Sequence, residues 1–312
     1  MTIQTSLRGL YVPTVTPFRP DSSIDTERFL TLCRWQMDSG ADGLAVFGTT
    51  SEGNSLSLAE KRELLDLLTE SGIPANRLLP GTGACAIPEA SDLTRKAVQI
   101  GSAGVLVLPP FYYKQPGPDG LFRYYSEIIE RVGDGRLRVY LYHIPQMSGV
   151  DMPIPLIERL LKAYPGIVVG LKDSSGNWEN TKRIIAEVPD LAVFPSSEVF
   201  LSEGLELGSA GCISASANIQ PREIAGVIAA RGTPRQAELQ SHVSLVRRVI
   251  EGFPLIAAVK AILARDSGDP SWERLRAPLG ALTAEQSNEL FAALDTLPAY
   301  RTVSLSAEET TV

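Results

Sequence analysis

The stretch "GIVVGLKDSSGNW" (166–178) begins as an apolar, β-branched run and then ends on Lys172, followed at once by Asp173 and small polar residues. That run has the composition of a strand buried on both faces. A charged amine is costly to bury unless it is paired or gives up its proton. The lysine therefore reads either as a salt-bridged group just past the strand or as a reactive amine. Tyr142 ends the preceding apolar run, "RVYLY" (138–142), in the same way. A tyrosine at a strand end reads by itself as half-buried packing. Together the two side chains point to imine chemistry. An amine in an apolar wall loses its proton more readily than a free one. The neutral amine attacks a ketone to form a Schiff base. The protonated imine then draws electrons from the neighbouring C–C bond, which can break or form. A phenol is a competent proton shuttle for such a step, and no metal is required.

Other stretches are weighed against this pair. "GTTSEG" (48–53) is either a plain strand–helix turn or an anion cradle, in which the Thr49 and Thr50 hydroxyls and free backbone N–H groups hold a carboxylate. "LPPFYYKQPG" (108–117) places three aromatics after a strand, packing on their own barrel in the simplest reading. "GTGACA" (81–86) fits G-x-G-x-x-A after a strand, but a dinucleotide site needs an acid about 20 residues on, where "IGSAGV" stands. The two histidines, His143 and His242, have no carboxylate cluster beside either, so no metal or cofactor is expected. His143 reads as a packing or hydrogen-bonding neighbour of Tyr142. Lys260 interrupts the apolar helix "LIAAVKAILA" and is expected to snorkel or pair.

The elements that must position these residues follow from periodicity. Short β-branched runs at 9–15, 43–47, 77–81, 104–108, 138–142, 166–171, 191–195 and 211–214 are each followed by a helical pattern. In "SLAEKRELLDLLTES", Ser57 and Glu60 have capping-box spacing. Eight such units in about 230 residues imply parallel strands, right-handed crossovers and a closed (β/α)₈ barrel. Its chemistry belongs at the C-terminal ends of the strands. Three helical patterns follow from about residue 232. The expected organisation is a barrel over 1–231 carrying the site and a helical extension over 232–312 packed on it. The polar tail "SLSAEETTV" (304–312) is expected to fray. A net charge of -7 with no long basic run argues against nucleic acid or an anionic membrane surface as partner. No apolar run approaches a membrane span and no signal peptide opens the chain. Cys33, Cys85 and Cys212 lie far apart with no CxxC, as in a reduced, cytoplasmic protein.

Through "GTTSEG", "GTGA", "PPFYYK", "YHIPQMSG", "GLKDSSG" and "GSAGCISASANI", in that order, the chain resembles the dihydrodipicolinate synthase / N-acetylneuraminate lyase family of class I aldolases over roughly 8–300. The resemblance implies a (β/α)₈ barrel with extra C-terminal helices. It also implies a pyruvate-type 2-oxo acid held as a Schiff base, and a homotetramer built from tight dimers. It makes Lys172 the imine lysine and Tyr142 the proton relay and oxo-acid contact. Thr49 belongs to the relay and Thr50 holds the oxo-acid carboxylate. The Ile213 backbone touches the oxo acid, and Tyr112 enters the relay from a partner subunit, with Tyr113 as rival candidate. Ser51 stands where the family has glycine and His143 where it has asparagine. Met147 stands where the synthases place an arginine for the aldehyde partner's carboxylate, and a thioether cannot replace a guanidinium. Of the lyases' sugar-reading acidic cluster only Glu198 survives. The expected function is cleavage of a 2-oxo acid to release pyruvate, or condensation of pyruvate with an aldehyde. A sugar-acid dehydratase, a 4-hydroxy-tetrahydrodipicolinate synthase and a silent 2-oxo-acid-binding protein are the alternatives.

Overall fold

The computed structural model describes residues 6–297 together with 300, 303 and 305, so the tail expected to fray lies, apart from Leu305, outside the described residues. Seven parallel strands are formed: β1 (Gly9–Val12), β2 (Gly43–Leu44), β3 (Val105–Val107), β4 (Val139–His143), β5 (Val168–Asp173), β6 (Ala192–Pro195) and β7 (Gly211–Cys212). One ladder runs β2–β1–β7 and the other β3–β4–β5–β6. Two seams join them. At one, the segment 78–81 makes single parallel bridges, Leu78 to Leu44 and Gly81 to Leu106. At the other, Ala210 N donates to Val193 O at 2.8 Å and Ile213 N to Pro195 O at 3.1 Å. The sheet is thus a closed (β/α)₈ barrel, with the third expected strand reduced to bridges. Pro80 explains that reduction, because its nitrogen has no proton for the ladder. Pro13 likewise ends β1 well short of residue 15. The second strand stops before Phe47, which has a left-handed φ of 65°.

Strand alternation divides the core. Tyr11, Ala45, Leu106, Tyr140, Tyr142, Phe194 and Ile213 fill the barrel interior. Val139, Leu141 and Leu171 face outward, into apolar layers beneath the helices. The interior pairs large with small: a Cβ on Gly170 would lie 2.2 Å from the Tyr140 ring, so glycine there makes room for it. Helix Leu58–Glu70 begins with the expected capping box, Ser57 and Glu60 each bonding the other's backbone N–H. The three C-terminal helices are Arg235–Glu251, Leu255–Ser267 and Ala284–Asp295. They share one apolar cluster with Val15, Leu32 and Ile219 of the barrel. No helix among the described residues is long and apolar enough to cross a membrane.

Candidate active site

Lys172 and Tyr142 are register partners on β5 and β4, and so lie side by side on the inner face. Lys172 Nζ is 3.3 Å from Tyr142 Oη and 4.4 Å from the centroid of its ring. Tyr142 Oη is 3.1 Å from Thr49 Oγ1, so amine, phenol and hydroxyl form one continuous chain. Lys172 is 4% exposed, and among the described residues no carboxylate pairs with it. The salt-bridge reading of this lysine therefore fails. The strand also runs two residues further than expected, to Asp173, which turns outward instead of meeting the amine.

That outward residue has its own partners. Asp173 Oδ1 lies 2.9 Å from His143 Nδ1, and its other oxygen accepts the Thr181 hydroxyl at 2.6 Å. Burial works to raise the Asp173 carboxyl, but the bonds from His143 and Thr181 outweigh it and hold the group below its ordinary range. His143 Nε2 meets Asp151 Oδ1 at 3.0 Å. The hydrogen-bonding role expected of His143 is thus found on the far side of the strand from Tyr142's hydroxyl. It clasps β4 to β5 one residue beyond the Tyr142–Lys172 pair.

The "GTTSEG" segment forms the rim above β2. Thr50 is 8% exposed, and Ser51 is fully buried with its hydroxyl unpartnered among the described residues. Ser51's carbonyl accepts the Thr16 hydroxyl at 2.7 Å. Ile213 is buried beside β6, its N–H spent on the barrel seam, so its carbonyl is the backbone group left to meet a ligand. The glycines of "GTGACA" serve close packing: a Cβ on Gly83 would meet Leu108 N at 2.3 Å. Among the described residues no group of three or more His, Cys, Asp and Glu is placed to hold a metal.

Two expectations are corrected. Tyr112 and Tyr113 are 74% and 76% exposed and stack edge to face on each other, so they do not pack on their own barrel. Within the chain neither phenol reaches the Thr49–Tyr142 pair. Glu198 does not present a carboxylate to a sugar: it is fully buried, its oxygens taken by Ser214 Oγ at 2.5 Å, Ser216 Oγ and Gln220 Nε2 at 2.9 Å. Met147 is 60% exposed on the single turn Pro145–Ser148 that follows β4. Lys114 Nζ ties that turn to the tyrosine loop through the carbonyls of Phe111 and Ser148. Sequence reading missed Glu52, which pairs with Lys260 in the interior. The only signal was half of the pair, a lysine set in an apolar helix.

Fold and site together define a barrel that brings a buried amine, a phenol and a hydroxyl into one continuous chain on its inner face. The chain belongs to the dihydrodipicolinate synthetase family, whose model matches residues 6–297, and it is a carbon–carbon lyase of that family. It is 34% identical over 301 residues to an uncharacterized DapA-like lyase of Chloroflexus aurantiacus, covering 95% of this chain and 98% of the relative. It is 33% identical over 283 residues to a 4-hydroxy-tetrahydrodipicolinate synthase of Syntrophotalea carbinolica, covering 89% and 93%. The crystal structure of dihydrodipicolinate synthase from Agrobacterium tumefaciens superposes with a TM-score of 0.86 at 33% identity, covering 93% of this chain and 99% of that one.

Proposed function

We propose that the protein is a class I aldolase that holds a pyruvate-type 2-oxo acid as an imine on Lys172. It either releases pyruvate by retro-aldol cleavage or condenses pyruvate with an aldehyde. The observation that supports this most is the 3.3 Å contact between a buried amine without a carboxylate partner and a phenol that itself reaches Thr49. The amine attacks the 2-oxo carbon and water leaves. In the cleavage direction the substrate's 4-hydroxyl passes its proton to the Tyr142–Thr49 relay. The C3–C4 bond breaks, its electron pair moves into the imine to give an enamine, and the aldehyde departs. A proton returned to C3 and a water molecule on the imine carbon then free pyruvate and the amine.

In this reading Thr50, with the neighbouring N–H groups and Ser51, holds the oxo-acid carboxylate, and the Ile213 carbonyl lies against the bound acid. Met147 lines the aldehyde side, and its lack of charge disfavours the synthase reaction. A tight dimer within a homotetramer lets an exposed Tyr112 join a neighbour's relay. A cytoplasmic setting goes with three unpaired cysteines. Residues 1–231 carry the chemistry and 232–312 the extension, although their shared apolar cluster favours one folded body.

Incubation with pyruvate and sodium borohydride tests the reading. A stable mass adduct on the Lys172 peptide is expected; an adduct elsewhere, or none, overturns it. Product analysis over a panel of 4-hydroxy-2-oxo acids then separates aldehyde release from loss of water.

A further inference from the structure

The loop that carries Thr49 and Thr50 is flanked by two non-glycine residues in the left-handed region, Phe47 at φ 65° and Glu52 at φ 55°. Such conformations are costly for residues that carry a side chain and persist only where surroundings fix them. Between them the loop folds tightly on itself, with Glu52 N donating to Thr49 O and Gly53 N to Gly48 O, both at 3.0 Å. What fixes Glu52 comes from the far end of the chain. Its carboxylate accepts Lys260 Nζ on one oxygen and Arg276 N at 3.0 Å on the other. Both side chains of the Glu52–Lys260 pair have no exposed surface. Lys260 Nζ also donates to Arg274 O at 2.7 Å and sits 4.6 Å from the centre of the Phe18 ring.

A buried ion pair of this kind is weak evidence for net stability, because desolvation of both charges offsets their attraction, and an apolar pair of the same size often does as well. Its position is the more informative feature. Glu52 is three residues from Thr49, whose hydroxyl must stay 3.1 Å from Tyr142 Oη for the relay to be continuous. We infer that Lys260, acting through Glu52, is a positioning residue for the reaction: it holds the Thr49–Thr50 loop in register with Tyr142 and Lys172. The C-terminal helix Leu255–Ser267 is thereby part of the catalytic apparatus, although it contributes no group to the reacting atoms.

The inference rests on the imine reading above, and the test keeps the two apart. Exchange of the pyruvate methyl protons in heavy water, followed by NMR, reports proton transfer at C3 without any aldehyde. Rates are referred to the number of sites trapped at Lys172 by borohydride and pyruvate, so unfolded chains do not count. Two variants are compared with wild type: Lys260→Met, which strands a buried carboxylate, and the double variant Glu52→Gln with Lys260→Met, which removes both charges. The expected result is trapping at Lys172 in both, with kcat for exchange per trapped site at least about tenfold lower. KM for pyruvate should rise as well, because Thr50 moves with the loop. A purely structural pair would lower the melting temperature or the trapped fraction while leaving the rate per trapped site unchanged. Per-site exchange within twofold of wild type in both variants overturns the inference. Absence of trapping at Lys172 in wild type overturns the imine reading instead.

Discussion

Lys172 and Tyr142 stand thirty residues apart in sequence and 3.3 Å apart at their tips, a proximity that follows from parallel pairing of β4 and β5 in register. Neighbouring inward residues on adjacent strands share one level of the barrel, so two side chains that end consecutive strands meet. If the amine is the nucleophile, Lys172→Ala should lose several orders of magnitude in turnover and all borohydride trapping, because the covalent route vanishes. Tyr142→Phe should still trap pyruvate, yet slow methyl-proton exchange by about 10²–10⁴-fold, since only the relay hydroxyl is removed. Trapping lost together with exchange would make Tyr142 a structural residue. At Met147 the prediction concerns substrate. Condensation of pyruvate with aspartate semialdehyde should fall about two decades in kcat/KM below a synthase carrying arginine there, the size of a lost charge-assisted contact. Met147→Arg should recover part of it. Synthase-level rates in the unmodified protein would refute this account of the pocket.

Among the elements, helix Leu58–Glu70 is the one whose start the sequence marked most plainly, and its cap does double duty. Glu60 accepts the Ser57 N–H at 2.8 Å and pairs with Arg276, whose Nη1 also donates to Ser55 O at 2.8 Å. The Arg276 guanidinium, with smaller help from Ser57, pulls the Glu60 carboxyl from its ordinary 4.5 down to about 2. Folding therefore favours the ionised form. The resulting stabilisation is complete above the ordinary value and is lost as pH falls through the folded-state value. The melting-temperature gap between wild type and Glu60→Gln should narrow from pH about 4.5 down to about 2. A gap unchanged across that window would mean that the pair contributes nothing through charge. The strands show where element-level reading stops. A run such as 77–81 has strand composition, but Pro80 and the curvature of a closing barrel leave it only two bridges. The strand expected over 166–171 forms two residues later, over Val168–Asp173, since apolar composition marks burial and not the register at which pairing begins.

At the scale of the whole molecule, the exposed Tyr112 gives the assembly question a direct test. In the proposed dimer its phenol completes a neighbour's relay. Tyr112→Phe should then slow turnover while leaving the fold and the imine intact. Mixing Tyr112→Phe with Lys172→Ala subunits under exchange conditions should yield mixed dimers up to about half as active as a wild-type dimer, because one site per mixed dimer regains both groups. No recovery, with subunit exchange shown by native mass spectrometry, would place Tyr112 outside the relay. Activity should also survive dialysis against EDTA, as imine chemistry needs no Lewis acid. Loss of turnover with recovery on adding zinc or magnesium would contradict it.

The sequence by itself determined the barrel, through eight strand–helix alternations, and singled out Lys172 and Tyr142, by residue types at strand ends, as a pair that the structure brings together. These are local signals: period, caps, and a polar group placed where an apolar run stops. It also showed that Lys260 needed an explanation. Only the tertiary structure decided the partners. Glu52 and Lys260 are separated by 208 positions, Glu198 closes on Ser214, Ser216 and Gln220, and His143 reaches Asp173 across a strand pair. Hydrogen bonds between residues far apart leave no periodic trace along one chain. A buried charge shows in sequence as an anomaly, and the group that satisfies it is set by which surfaces the closed barrel brings together.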